Sequence, residues 1–326
     1  MKRLLKISLD LALLSFIPVI SWFLLGLIVD KDLINVFGLT YPIQFLWYIL
    51  KSIFSTGANI SKVKDKNNNA VMSGIVIGTI VGLIVFGFLA LNVDNYIRFM
   101  NMDVNIYRTF TIYSILQLYI ELILQFILTK LYYENNNNLA NKYSIRFNSI
   151  NFFVLIATSL ITKNQVLIVT ITLISIFTYA IIIFIKSFDK FKLQVKLLNW
   201  IKYDSVELFN NIMFFFIFLF GLSNALSYGE EYAMALNFIA LITDTQWDVY
   251  DSILTTAQID ISRKTFNYKK HLKNAYKLLS ILLISILILF IGLYNFYNLS
   301  LSITLIYLSF ELINFMLYPI YKIKMC

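Results

Sequence analysis

Ten apolar runs of about twenty residues, separated by short polar loops, decide what this chain can fold into. They are Ile7–Val29, Leu33–Phe54, Ala70–Leu91, Thr109–Leu131, Ser144–Ile161, Val166–Ile185, Ser205–Ser227, Tyr232–Leu254, Leu278–Phe296 and Leu299–Tyr321. About twenty residues of α-helix cross the hydrocarbon core of a bilayer. Of the 326 residues 59% are hydrophobic and only 14% charged, against about 25% charged in a soluble domain. So few charges cannot coat a water-soluble particle, which makes lipid the solvent. The reading is an all-α polytopic membrane protein of about ten transmembrane helices. The fifth run is the weakest, because Asn148 and Asn151 interrupt its start.

Loop charge tests the span count. Lys and Arg favour the cytoplasmic side of short loops. Loops on one side hold Lys2, Arg3 and Lys6; Lys62, Lys64 and Lys66; Lys130, Lys142 and Arg146; Lys186, Lys190, Lys192, Lys196 and Lys202; the basic stretch Arg263–Lys277; and Lys322 and Lys324. The opposite loops hold Lys31, Arg98, Arg108 and Lys163. A miscounted span would scramble this alternation, so the pattern predicts both termini in the cytoplasm and a multi-pass protein of the plasma membrane. The net charge of +9 is a topology signal and does not point to nucleic acid. The basic start Met1–Lys6 runs into a long apolar segment without a cleavage site and reads as a retained first span.

Two halves of the chain repeat. At a shift of 200 residues Trp47 meets Trp247, Ser52 meets Ser252, Ile53 meets Ile253 and Thr56 meets Thr256; at a shift of 190 Glu121 meets Glu311. The halves start on the same side, so the repeat is parallel. The expected organisation is an N-terminal six-helix bundle over residues 1–190, a cytoplasmic linker over 191–203, and a four-helix bundle over 204–326 that stops two helices short of symmetry. A truncated chain, or a divergent ten-span member, is the expectation.

Charged groups at mid-span cost at least about 2.5–3.5 kcal/mol each, so they are the residues to question. Asp244, Asp248 and Asp251 follow one another at steps of four and three in the eighth span, which puts them on one helical face. Crowded carboxylates repel, and a proton or sodium ion relieves that repulsion; the alternative is that Asp251, or Asp251 and Asp248 together, are hydrated interfacial residues. Lys51 corresponds to Asp251 in the repeat, and the two could pair as an inter-bundle gate, with snorkelling of Lys51 as the alternative. Glu121, Glu311 and Gln44 are secondary polar sites, and the two glutamates are read as accepting ions or holding helices together. Trp47, Tyr48, Trp247 and Tyr250 could line a cleft for flat cations.

Other chemistries find no support. Cys326 is the single cysteine, and His271, in a basic loop, reads as solvated. There is no HExxH, Gly-rich phosphate loop or Cys/His cluster. The chain is read as a non-enzyme with no cofactor and no metal centre, having H+ or Na+ as coupling ion, and as a monomer whose partners are membrane lipid and a small-molecule substrate.

Local stretches resemble a known family. Gly38-Leu-Thr-Tyr-Pro42 leads into the second span; Ser55-Thr-Gly-Ala-Asn59 follows, then the polar loop Lys62–Asn69 and Ala70. Thr255-Thr-Ala257 and Arg263–Lys277 echo this in the second half. The layout is similar to the multidrug and toxin extrusion (MATE) family, within the group that includes lipid-linked glycan flippases. That resemblance implies a cation-coupled efflux transporter of cationic or amphipathic compounds working by alternating access, with a glycan flippase or a truncated remnant as alternatives. Members commonly carry a carboxylate within the first span; here Asp10 lies near its cytoplasmic start.

Overall fold

The computed structural model describes residues 17–134, 136–243, 245–262, 266–294 and 299–324; within these, the side chains of residues 230, 245, 247, 248, 251, 255, 258, 259, 261, 262, 292, 293, 318, 319 and 321–324 lie outside the description. Every regular element among the described residues is a helix. In chain order they are α1 (Ile17–Ile28), α2 (Ile34–Lys51), a π-helical turn (Ser52–Gly57), α3 (Ala58–Lys64), α4 (Ala70–Leu91), α5 (Val93–Phe99), α6 (Val104–Tyr133) and α7 (Asn137–Ile161). There follow α8 (Gln165–Lys186), α9 (Leu197–Tyr203), α10 (Ser205–Tyr228), α11 (Glu230–Thr243), α12 (Thr245–Ser262), α13 (Tyr268–Tyr294) and α14 (Leu301–Lys324).

Seven helical runs are long and apolar enough to cross a membrane, and three shorter apolar helices, Ile17–Ile28, Glu231–Thr243 and Leu301–Leu317, join them. Each falls on one of the ten expected spans. The chain is an all-α polytopic membrane protein.

Three expected boundaries move. The second span runs on as one helical stretch, Lys31–Lys64, instead of ending at Phe54. Polar residues end a hydrophobic run without ending a helix; the helix ends at Asp65, with Lys66 in the left-handed region (φ 52). The eighth span falls on α11 and α12 and likewise continues, to Ser262. The fifth begins at Asn137, and Asn148 and Asn151 are buried inside it. They do not interrupt it because each amide has a partner: Asn148 Nδ2 donates to the Ser144 carbonyl at 3.1 Å, and Asn151 Oδ1 accepts from Tyr113 at 2.8 Å. His271 is also corrected: it is buried on α13, with Nε2 3.0 Å from the Ile253 carbonyl oxygen.

Packing divides the chain into two compact units, one of residues 25–228 and one of residues 1–24 with 229–326. The seventh span, α10, packs along α2, where Tyr41 and Phe45 meet Phe218 (ring centroids 4.7 and 5.2 Å apart) and Phe45 meets Phe214. In the other unit Phe238 on α11 packs between Phe23 of α1 and Phe290 of α13.

In the larger unit α4 approaches its neighbours through Gly74, Gly78 and Gly82, spaced four apart on one face. A Cβ on Gly74 would sit 2.2 Å from the Phe54 carbonyl oxygen, and one on Gly78 2.7 Å from the Phe126 ring. The opposite face of α4 exposes Ile80, Leu83, Ile84 and Phe88, as a lipid-facing surface should. Residues 187–203 lie across the end of this unit where α3, α6 and α8 finish. Lys130, buried at the end of α6, pairs with Asp189 and donates to the Ser187 carbonyl at 3.1 Å. The amides of Lys192 and Gln194 donate to Asn69 Oδ1 and Ser73 Oγ at 3.2 and 3.0 Å. Trp200 is fully buried against the π-helical turn, edge-on to Phe54. Asp65 accepts from Tyr203, Ser61 and Asn199. Together these contacts make a clamp.

Those hydrogen bonds, Tyr203's foremost and then those of Ser61 and Asn199, hold the Asp65 carboxyl at about 2, below its ordinary 3.8. A depressed carboxyl stabilises the fold fully above pH 3.8 and loses that contribution as pH falls toward 2. Protection of the Lys192 and Gln194 amides from hydrogen exchange, taken relative to their intrinsic rates, should fall within that window as pH is lowered; Tyr203→Phe should move the fall to higher pH. A Cβ on Gly57 would lie 2.3 Å from the Trp200 carbonyl oxygen. Gly57→Ala should therefore cost about 1–3 kcal/mol in thermal unfolding, the usual range for overpacking, while Gly87→Ala, with nothing within 4 Å, should not lower the midpoint.

Candidate functional site

Polar residues on α6 recur at steps of four, three, three and four: Tyr107, Thr111, Ser114, Gln117 and Glu121. That spacing lays them along one face. The face is partnered, as groups removed from water must be. Asn35 Nδ2 on α2 donates to the Tyr107 hydroxyl at 3.3 Å, and the Ser114 hydroxyl donates to Thr40 Oγ1 at 2.9 Å. Thr40 in turn donates to the Val36 carbonyl at 3.0 Å. Further along, Gln117 Nε2 donates to Glu121 Oε1 at 2.8 Å. On the α7 side Tyr113 donates to Asn151. At 1.5 Å per residue Glu121 lies about 25 Å along a helix of about 45 Å, which is membrane depth.

The repeat-related carboxylate is built differently. Glu311 on α14 accepts from Gln246 Nε2 of α12 at 2.5 Å and is also bonded by Asn314. Gln246 is fully buried, and its Oε1 has no hydrogen-bond partner among the described residues. Each half thus holds one intramembrane glutamate with a glutamine amide, from the same helix in α6 and from a neighbouring helix in α14.

Lys51, at the end of α2, places its ammonium 5.2 Å from the Trp47 ring centroid and 5.9 Å from that of Tyr48, an intra-helix cation–π stack. Trp47 is buried, and its indole N–H has no hydrogen-bond partner among the described residues. Gln44 is half-buried. Tyr250 is buried on α12, its ring 6.4 Å from that of Phe315. Asp244 lies outside the described residues, as do the side chains of Trp247, Asp248 and Asp251, so the three-carboxylate face and the pairing of Lys51 with Asp251 stand as sequence expectations. Among the described residues no group of three or more His, Cys, Asp or Glu gathers as a metal site.

Sequence reasoning found both glutamates but missed their glutamine partners and the Tyr113–Asn151 bond. The periodic polar face of α6 was the available signal for the first. It also took Lys130 for a loop charge, whereas its side chain is 8% exposed and bound. Glu311→Gln, which keeps an acceptor for Gln246, should leave thermal stability near that of the parent. Glu311→Leu, which strands a buried amide, should cost about 1–3 kcal/mol, read as a lower unfolding midpoint in detergent.

No family model matches the chain, and no curated protein matches it. Among solved structures the chain is similar to the crystal structure of MATE in complex with MaD5, with a TM-score of 0.63 at 12% identity, over 99% of this chain and 80% of that one. At that identity the likeness is one of fold: this chain has a MATE-like arrangement of membrane helices.

Proposed function

We propose that the chain is a cation-coupled efflux transporter of small cationic or amphipathic compounds, working by alternating access in the cell membrane with both termini in the cytoplasm. The observation that carries this reading is the pair of repeat-related intramembrane glutamates, Glu121 and Glu311, each held by a glutamine amide in a MATE-like fold. A carboxylate at such depth is costly when charged, so uptake of H+ or Na+ there changes the energy of the conformation that holds it. Asp244, Asp248 and Asp251 are the sequence-based coupling residues, with Lys51 and Asp251 as the gate. Trp47, Tyr48, Trp247 and Tyr250 are the sequence-based aromatic residues for a cationic substrate, and the stack of Lys51 on the first two rings is the same chemistry satisfied internally. The transporter acts as a monomer.

A lipid-linked glycan flippase is the second reading, favoured by Lys51, which could meet a lipid phosphate. Efflux of a cationic dye from vesicles holding the full chain, under an imposed proton or sodium gradient, separates the two. The expected result is gradient-dependent efflux by the parent, lost in Asp244→Asn and Glu121→Gln. Exchange of charge at Lys51 and Asp251 together should restore efflux lost in either single variant. Dye efflux indifferent to both gradients rejects cation coupling.

A further inference from the structure

The clamp over residues 187–203 has two sides, and only one is used by the bundle. The inner side carries the Lys130–Asp189 pair, the Lys192 and Gln194 amides, buried Trp200, and Tyr203 bonded to Asp65. The outer side is apolar and basic at once. Phe188, Leu193, Val195, Leu197 and Leu198 are all exposed, Leu193 by 63% and Leu198 by 82%. Lys190, Lys192, Lys196 and Lys202 are exposed among them, and Lys186 stands at the end of α8. From Lys186 to Tyr203 the chain holds five lysines and a single acid, Asp189, which Lys130 already neutralises.

The local structure sets this division. From residue 188 to 196 the backbone has no helical turn, and alternate amides, those of Lys192 and Gln194, face the start of α4. In α9, Trp200 and Tyr203 lie three apart and turn inward, while Leu198 and Lys202 lie four apart on the outer face. Leu198 would gain nothing from water, and lysine stems extend readily along an apolar boundary with their ammonium groups among polar heads. The strip also sits where a spanning helix ends, since α8 is 22 residues long, about 33 Å, and Lys186 is its last residue.

We propose that residues 186–203 form an interfacial docking strip for anionic lipid headgroups, in the leaflet that meets the C-terminal end of α8. The apolar side chains enter the acyl–headgroup boundary, and the lysines take the phosphates. A bilayer surface suits this strip better than a folded partner, because the outer face interleaves exposed aliphatic and cationic groups and its one acid, Asp189, is already paired with Lys130. Bound lipid presses the clamp onto the bundle, so Trp200 and Tyr203 hold the turn at Ser52–Gly57 and the end of α3 more firmly in an anionic membrane than in a neutral one. The inference rests on the membrane assignment alone and does not require transport.

The experiment uses the full chain with Cys326→Ser, which removes the single cysteine, and Leu198→Cys carrying a bimane label. The protein is placed in vesicles of brominated phosphatidylcholine alone, or of that lipid mixed with brominated phosphatidylglycerol. Quenching should be stronger in the anionic vesicles and should weaken with added salt. Lys190→Gln, Lys192→Gln, Lys196→Gln and Lys202→Gln together should abolish the difference, each lysine contributing about fivefold to the preference. The lipid comparison on the parent sequence stands even if the multiple variant fails to fold. Equal quenching in both lipids overturns the anionic recognition, and a label left unquenched in both overturns membrane docking, leaving the strip to a soluble partner.

Discussion

Inside hydrocarbon no water takes up a stray N–H or C=O, and every other feature of this molecule follows from that exclusion. It forces the backbone into helices, whose hydrogen bonds close within the segment. It then acts on side chains. Hydroxyls turn back onto their own helix, as Thr79, Thr111, Ser159 and Thr172 do at 2.7–2.8 Å to the carbonyl four residues earlier. Larger polar groups find each other across helices, as Tyr113 finds Asn151 and Ser114 finds Thr40. With little hydrophobic drive between helices in lipid, close approach comes from small residues, and the Gly74-Gly78-Gly82 face of α4 lets Phe54, Phe126 and Leu122 sit directly against its backbone.

The two glutamates show how a costly group is kept. Neither is left alone: Gln117 reaches Glu121 within one helix turn, whereas Gln246 ties α12 to α14 through Glu311. The first bond is local and asks nothing of helix packing. The second exists only while two helices stay together. Equivalent carboxylates therefore carry different structural obligations, one within a single helix and one between two.

Much of the fold is legible in the sequence. Span length and loop charge depend on the bilayer, an environment with a fixed thickness, so the ten spans could be counted. Boundaries governed by side-chain partnership could not. Asn151 reads as an interruption because its donor, Tyr113, lies 38 residues away, and Asn148 does so because its acceptor, the Ser144 carbonyl one turn back, comes into reach only once the helix has formed. His271 read as solvated because its partner is a backbone oxygen eighteen residues away. The packing of α10 on α2 is not legible for a related reason: it rests on Phe214 and Phe218 meeting Tyr41 and Phe45, far away along the chain. At the candidate site, the sequence marked the glutamates by their cost, but not the amides that meet that cost.

The turn at Ser52–Gly57 winds with i→i+5 bonds, whereas its repeat counterpart at 252–257 lies within the ordinary α-helix α12, although Ser, Ile and Thr recur at matching places. The same letters thus adopt two pitches, and neighbours choose between them; on the π side those neighbours are Trp200 at Gly57 and Gly74 at Phe54. One extra residue in a turn advances everything beyond it by about 100° of azimuth. Past residue 57, therefore, α3 presents faces rotated from those that an unbroken α-helix continuing from α2 would present.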